Sequence, residues 1–230
     1  MSIRTKLLAV LAAVTLAACQ TTPQAPIALT KEKVTPPSAG RVGVVMNAHK
    51  VDLYLPGAGC LLCLAAATVA NKSLNTYAQQ TLKDDELVAV KGELVEALQK
   101  RGLQATLVAE QVNFGDLPTL SLGDGKARHD FARFNKQFDR LVVVEVGQIG
   151  FVRNYAAYVP TGDAVATIDA QVYMVDLKTN AYDWYDHIVL TKAADGAWDE
   201  APSFPGLTNA FYQTIEQAKD RIKKPIVSLQ

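Results

Sequence analysis

Two cysteines, Cys60 and Cys63, are separated by two leucines and follow the flexible stretch PGAG at residues 56–59. If a helix starts here, its unpaired backbone N–H groups stabilise a thiolate, and a thiol three residues later can resolve a mixed disulfide. The pair is therefore a candidate for thiol–disulfide chemistry. In an exported chain a local structural disulfide is the favoured interpretation, with two buried thiols or a metal role also open.

The surroundings of the cysteines match a redox enzyme only in part. Residues 117–119 (LPT) look like the Pro-Thr that faces a thioredoxin active site. However, leucines fill the positions between the cysteines and no aromatic residue precedes Cys60. Thiol–disulfide oxidoreductase activity at Cys60 and Cys63 is therefore the alternative function, and no other catalytic residue is predicted.

The three histidines, His49, His129 and His187, lie in separate segments of the chain. The sequence contains no HExxH metal motif, no EF-hand loop, no GxSxG nucleophile motif and no phosphate-binding loop. A second cysteine pair or a nearby histidine that would complete a zinc site is also missing from the sequence. We therefore predict neither a metal nor a cofactor.

The amino terminus has the order of an export signal. Arg4 and Lys6 precede an apolar run at residues 7–16, which is too short for a membrane span of roughly twenty residues. The stretch at residues 16–19 (LAAC) resembles the lipobox of bacterial lipoproteins. In that family the cysteine is acylated and the chain is cut just before it, which implies a signal peptide over residues 1–18 and a lipid on Cys19.

Acylation of Cys19 would attach the protein to a lipid bilayer. Each buried CH₂ adds about 0.8 kcal/mol, so several acyl chains such as palmitate make detachment negligible. Gln20 follows the cysteine. By resemblance to the lipoprotein sorting pattern, the lack of Asp at this position implies the outer membrane rather than the inner one.

Residues 19–40 contain four prolines and almost no periodic apolar pattern. This composition predicts a flexible tether that reaches up to roughly 60 Å if twenty residues extend like polyproline. The remaining residues, 41–230, show no internal repeat and no second core, so they are predicted to form one periplasmic domain.

The composition is that of an ordinary globular chain. The 230 residues include 23 Lys and Arg against 23 Asp and Glu, and 49% are hydrophobic. Loss of Arg4 and Lys6 with the signal peptide leaves 21 basic residues against 23 acidic ones. The balance excludes a strongly basic nucleic-acid binder, and the apolar content excludes a wholly disordered chain.

The first half of the domain reads as two short strands at residues 41–46 and 51–55, followed by a helix over residues 61–82. Asp84 is predicted to cap a second helix, after which residues 104–108 form a strand. One face of that second helix carries regularly spaced apolar residues, namely Leu87, Val90, Leu94 and Leu98.

The middle of the domain combines a short helix with a strong strand. Residues 126–137 are predicted to be helical, with Phe131 and Phe134 pointing inward. Residues 140–149 contain an unbroken valine run, which is typical of a central strand covered on both faces.

The pattern of the last third of the domain predicts a long hairpin and a carboxyl-terminal helix. Strands at residues 164–177 and 181–192 flank a turn in which Asn180 supplies a positive φ. Apolar residues recur every three or four positions over residues 207–222, and Pro225 is predicted to end this helix. The alternation predicts an α/β fold, with α+β as the alternative: one mixed sheet with helices packed on it.

This order of elements, with a hairpin turn that reads VDLKTN at residues 175–180, resembles the periplasmic domain of the TolB amino-terminal and curli-secretion lipoprotein type. The chain lacks the paired membrane-spanning hairpins of the curli-secretion family, so pore formation is not implied. Three segments are more closely similar to uncharacterised lipoproteins of Gram-negative bacteria, at residues 56–64, 158–163 and 175–185. That likeness implies no particular activity.

Aromatic residues near one end of the sheet are the candidate partner-binding residues. Tyr155 and Tyr158 lie in the segment between two strands, Trp184 lies on the following hairpin, and Asp163 closes the segment. Aromatic side chains bury a large area while keeping a polar handle, as interface anchors do. The alternative is that they cover the sheet and that Asp163 stabilises a turn.

The apolar stretch at residues 60–70 predicts a buried helix, with contact to a bilayer or a partner as the alternative. The leading functional interpretation is a membrane-anchored, non-catalytic lipoprotein that binds an envelope protein in envelope assembly or maintenance. Binding of a small ligand or of cell-wall material is a further alternative.

Overall fold

The computed structural model describes residues 23–121 and 123–229, so the predicted signal peptide and Cys19 lie outside the described residues. Six strands form one open sheet: β1 (Arg41–Met46), β2 (Asp52–Tyr54), β3 (Gln104–Leu107), β4 (Arg140–Val152), β7 (Val165–Asp176) and β8 (Ala181–Ala193). Their order is β3–β1–β4–β7–β8, with β2 beside β4. A separate small hairpin consists of β5 (Tyr155–Ala156) and β6 (Val159–Pro160).

The sheet is mixed because β4 pairs in both directions. It runs parallel to β1 and β2 and antiparallel to β7, which in turn pairs antiparallel with β8. The valine run of β4 is buried over Leu141–Val144, as its central position requires. The predicted α/β class, a mixed sheet with helices packed on it, is confirmed.

Four helices are present in the described part of the chain: α1 (Leu61–Ala70), α2 (Lys72–Gln80), α3 (Asp85–Lys100) and α4 (Pro205–Val227). The apolar faces of α3 and α4 cover one side of the sheet. On α3 the buried positions are the four predicted ones, Leu87, Val90, Leu94 and Leu98. Asp84 precedes α3 as predicted but does not cap it, because its carboxylate bonds to His49 instead.

The helix predicted over residues 61–82 is interrupted at Asn71. The Asn71 side chain donates to the carbonyl of Ala67 at 2.7 Å and to the Tyr155 hydroxyl at 2.6 Å, and it accepts from Arg153 at 2.9 Å. An asparagine that bonds to nearby backbone and distant side chains competes with helix continuation. The chain therefore turns here, and α1 and α2 diverge.

The other side of the sheet is covered by irregular chain, and the helix predicted at residues 126–137 is wrong. Only a 3₁₀ turn at Ala132–Phe134 forms there. Lys126 pairs with Ala181, and the Asn180 amide donates to the carbonyls of Ala127 and His129, so strand-like bonds take the backbone groups a helix would use. Phe131 and Phe134 are buried as predicted.

Part of the predicted tether belongs to the folded domain. Ile27 exchanges two backbone hydrogen bonds with Tyr185 of β8, at 2.8 and 3.0 Å. Further along, Leu29, Val34 and Ala39 are buried in the core. The flexible-tether prediction therefore fails for residues 27–40, because long-range packing holds a segment whose composition alone indicated a linker.

The two ends of the sheet differ in what they carry. At the turn end, β4 begins opposite Asp176, and Gln24 accepts a hydrogen bond from the backbone of Gly125 at 2.7 Å. At the helix end, β4 finishes opposite Val165, and the chain continues into α1 and the β5–β6 hairpin. The described chain thus enters at the end opposite α1. Within residues 23–121 and 123–229, every helix is too short or too polar to span a bilayer.

Candidate functional site

Helix α1 projects from the helix end of the sheet and leaves most of its surface uncovered. Only Cys63 and Ala67 of its ten residues are buried. Leu61 is 85% exposed, Leu62 72% and Val69 75%. The prediction of a buried helix at residues 60–70 is therefore wrong, because the rest of the domain offers a supporting surface for one narrow stripe only.

A local disulfide closes the first turn of α1, and a small apolar cluster holds the helix against the domain. Cys60 and Cys63 form a disulfide, and the backbone N–H of Cys63 donates to the Cys60 sulfur at 2.9 Å. Beneath the helix, Cys63 and Ala67 pack against Ala58 and Tyr155. The orientation of α1 therefore depends on few contacts, which leaves its outer face free to bind.

The β5–β6 hairpin extends the apolar surface of α1. Tyr158 is 56% exposed and Val159 is 63% exposed, and the Tyr158 hydroxyl lies 3.7 Å from the Cys60 sulfur. We call this surface the tip surface; it consists of Leu61, Leu62, Leu64, Val69, Tyr158 and Val159. A helix and a hairpin set the backbone of this surface, and its side chains face solvent.

A groove of about 640 Å³ continues the tip surface along α2. Val69 lies at its start, Tyr77 and Gln80 line one wall, and Pro202 lines the other. The Tyr77 ring packs on Phe204 at a centroid distance of 5.4 Å, which keeps the groove wall in place.

The tip surface is uncharged along α1, whose sequence LLCLAAATVA contains no Lys, Arg, His, Asp or Glu and whose cysteine is disulfide-bonded. Lys72, two residues after α1 ends, is the exposed cation beside this surface. Arg153 lies with its guanidinium carbon 4.4 Å from the centre of the Trp198 ring and also bonds to Asn71, which fixes the base of the hairpin. Apolar burial is therefore the main interaction this surface can offer.

The four predicted partner-binding residues do not come together. Tyr158 and Asp163 are exposed, but Tyr155 is 7% exposed and holds α1 and α2 through Asn71. Trp184 is 2% exposed and lies in the main core. Tyr155 and Trp184 are therefore corrected to core residues, because both side chains point from their strands into packed layers.

The cysteine pair resembles a thioredoxin site in one respect and differs from it in another. Cys60 is exposed at the start of α1 and Cys63 is buried, so the first cysteine of the pair is the accessible one. However, Leu117 packs in the aromatic cluster under the other face of the sheet, whereas Cys63 packs beneath α1. Residues 117–119 therefore do not face the disulfide.

Sequence reasoning missed a second group of polar residues near the carboxyl end of β1 and the middle of β4. His49 bonds to Asp84 at 2.6 Å, and Glu145 accepts from the Tyr173 hydroxyl at 2.9 Å and lies 3.2 Å from His129. These partners are far apart in sequence, so no spacing motif signals them. In the part of the chain that the structure describes, no three His, Cys, Asp or Glu side chains are grouped as a metal site requires.

No family model and no curated protein matches the chain. Several solved structures are similar to the chain at low identity. A Xanthomonas campestris protein of the family DUF330 is 13% identical over 82% of this chain and 85% of that one, with a TM-score of 0.42. A Helicobacter pylori homologue of a neuraminyllactose-binding haemagglutinin is 8% identical over 89% and 88%, with a TM-score of 0.39.

The Neisseria meningitidis lipoprotein GNA1162 is 12% identical over 76% of this chain and 99% of that one, with a TM-score of 0.26. These structural neighbours thus include a lipoprotein and a protein of a family named only as a domain of unknown function. Identities and TM-scores this low carry no argument about what the chain binds or catalyses. The functional conclusion therefore depends on the residues themselves.

Proposed function

We propose that this protein is a lipid-anchored, non-catalytic protein of the bacterial envelope whose domain binds another envelope protein. The observation that carries the proposal is the tip surface, where α1 exposes eight residues, seven of them Ala, Leu or Val. Monomeric proteins rarely expose large contiguous apolar patches, and such patches mark contacts with proteins or membranes.

The anchor in this proposal is acylated Cys19, on the strength of the lipobox-like residues 16–19. Gln20 supports the outer membrane as the destination. The lipid and the domain would be close together, because Cys19 precedes Gln24 by five residues. Even a fully extended chain of that length spans about 17 Å.

This geometry argues for a protein partner rather than the anchoring bilayer. Gln24 is attached at the turn end, whereas the tip surface lies at the helix end. The 13 residues of β8 alone span about 40 Å. When the domain stands on its anchor, the tip surface therefore points away from the bilayer that holds the acyl chains.

The charge of α1 supports the same choice. Helices that lie on membranes carry Lys and Arg, which meet anionic lipid headgroups. α1 carries no charged residue, and Lys72 is the only one lining the groove beside it. A complementary partner is therefore an apolar, uncharged groove or helix of a protein.

Lipidation is tested by growing cells with labelled palmitate. We expect label on the native chain and recovery in the outer-membrane fraction, while Cys19→Ala loses the label and the membrane association. An unlabelled native chain, or one that is equally membrane-bound without Cys19, would contradict the anchor.

Partner binding is tested with photo-crosslinking residues placed at Leu62 and Val69 in intact cells. We expect both positions to capture the same exported protein, and a probe at Val227, which is 64% exposed at the turn end, to capture none. The double variant Leu61→Gln with Tyr158→Gln should lose the adduct without loss of folding. Adducts to phospholipid or to a second copy of this chain would refute the proposal of a protein partner.

Thiol–disulfide exchange is the second candidate, favoured by the exposed Cys60 sulfur at the start of α1. It predicts turnover in a disulfide-reduction assay. If the double variant Cys60→Ala with Cys63→Ala keeps both the crosslink at Leu62 and the cellular phenotype, the redox function is excluded.

A further inference from the structure

The connections that follow two neighbouring parallel strands, β1 and β3, lie on opposite faces of the sheet. After β1 the chain returns to β3 through α3, which packs on the same face as Val44. After β3 it crosses the face that carries Val45, where Val112 and Phe114 pack. In open α/β sheets, ligands bind outside the carboxyl ends of strands at such a switch in direction.

A cleft of about 370 Å³ lies at this position, which we call the switch-point cleft. Small-ligand pockets have volumes of roughly 300–1,000 Å³. Val44, Val88 and Val108 provide its apolar surface. Its polar lining residues are Asn47, His49, Asp84, Lys91, Glu110 and Gln111.

His49 and Asp84 form a half-buried pair in which a protonated ring neutralises the carboxylate. The His49 ring lies 2.6 Å from Asp84 through Nε2 and 2.9 Å from the Asn47 carbonyl through Nδ1. Both ring nitrogens therefore face acceptors, which favours the doubly protonated ring. Burial lowers the pKa of His49, but these hydrogen bonds and the Asp84 charge outweigh it, so the pKa is raised overall.

Lys91 gives the cleft an uncompensated positive charge. It lies half-buried on α3 and lines the cleft with His49, and none of the ion pairs among the described residues involves its ammonium group. Glu110 is already paired with Arg133 at 3.4 Å. Residues 109–111 line the same cleft as Lys91, and among the described residues their N–H groups donate to no backbone carbonyl, so these donors are free for a ligand.

We infer that the switch-point cleft binds a small organic anion through a carboxylate or phosphate group. Lys91 and the N–H groups of residues 109–111 hold the anionic group, and Val88 and Val108 contact the apolar part. His49 acts as a positioning residue, since it removes the negative charge of Asp84 that would repel the ligand. The inference does not depend on the tip surface.

The test is a titration of the purified full chain with inorganic phosphate and, separately, with acetate, followed by two-dimensional amide NMR. We expect saturable shifts at residues 109–111 and at Lys91. Loss of a charge-assisted hydrogen bond in Lys91→Gln should weaken binding about tenfold or more. Lys100→Gln, the same change on the same helix outside the cleft, should leave it unchanged.

The two probes separate the ligand classes. Saturation by phosphate alone assigns a phosphate-bearing ligand, saturation by acetate alone assigns a carboxylate, and saturation by both supports the anion site in general. Absence of saturable shifts for either probe overturns the inference, as does equal binding by a Lys91→Gln chain whose remaining spectrum shows it to be folded.

Discussion

Val34→Ala tests whether the segment before β1 is part of the core. Val34 is fully buried within the main cluster, although its surroundings in sequence indicate a tether. The change removes two methyl groups at about 0.8 kcal/mol each, and the cavity left behind adds to that loss. We expect the free energy of unfolding to fall by about 2 kcal/mol.

The measurement is urea unfolding of the full chain in detergent, followed by tryptophan fluorescence. With a slope of about 2 kcal/mol per molar urea, the midpoint should fall by about 1 M. Val227→Ala makes the same change at a position 64% exposed, and it should alter stability by no more than about 0.5 kcal/mol. Equal midpoints for the native chain and Val34→Ala would mean that the segment before β1 does not pack on the core. The flexible tether between the lipid and the domain would then be longer than five residues.

Asp183→Asn removes the carboxylate that pairs with Arg140 inside the domain. The free energy of unfolding should fall by about 3–5 kcal/mol in the same urea assay. A loss below about 1 kcal/mol, as for a surface ion pair, would show that the charge is solvated. Gly57→Ala places a Cβ 1.8 Å from the Tyr155 carbonyl oxygen, so α1 should detach from the domain. Limited proteolysis should then cut the variant first near α1. A digestion pattern equal to that of the native chain would contradict the detachment of α1. The pKa of His49 is raised and that of Asp84 is lowered, so their pair stabilises the fold most between pH 3.8 and 6.5. Its contribution is lost as pH rises through the raised histidine value, or falls through the lowered aspartate value; a native-minus-His49→Gln stability difference independent of pH would refute the pairing.

Local patterns predicted much of the fold. The spacing of apolar residues located α3 and its buried face, and the valine run identified the central strand β4. Asn180 adopts φ 55° in the β7–β8 turn, as its side chain permits. These elements are set by residues close in sequence, so the sequence alone was sufficient to predict them.

The errors share a different cause, since each depends on partners distant in sequence. Asn71 ends α1 because Tyr155, 84 residues later, accepts its hydrogen bond. Residues 126–137 lose their helix to pairing with the β7–β8 turn, which contains Asn180. The His49–Asp84 pair also joins separate elements, and a single sequence gives no signal of such proximity.

The sequence shows that the residues of the tip surface are apolar, but it does not show that they are exposed. A run such as residues 61–70 is equally consistent with a core helix, because periodicity cannot distinguish a covered face from an uncovered one. What decides is how much of the rest of the chain packs against the helix, and among the described residues the apolar cluster beneath it consists of Ala58, Tyr155 and Leu55.

The narrow attachment of α1 separates the part of the sequence that maintains the fold from the part that would recognise a target. Substitutions at its eight outward positions remove no interior contact, so many of them should be tolerated during evolution without loss of protein abundance. Related proteins could therefore acquire new specificities by rewriting one short helix on an unchanged scaffold. The same property makes α1 a suitable position for a randomised library in binder engineering.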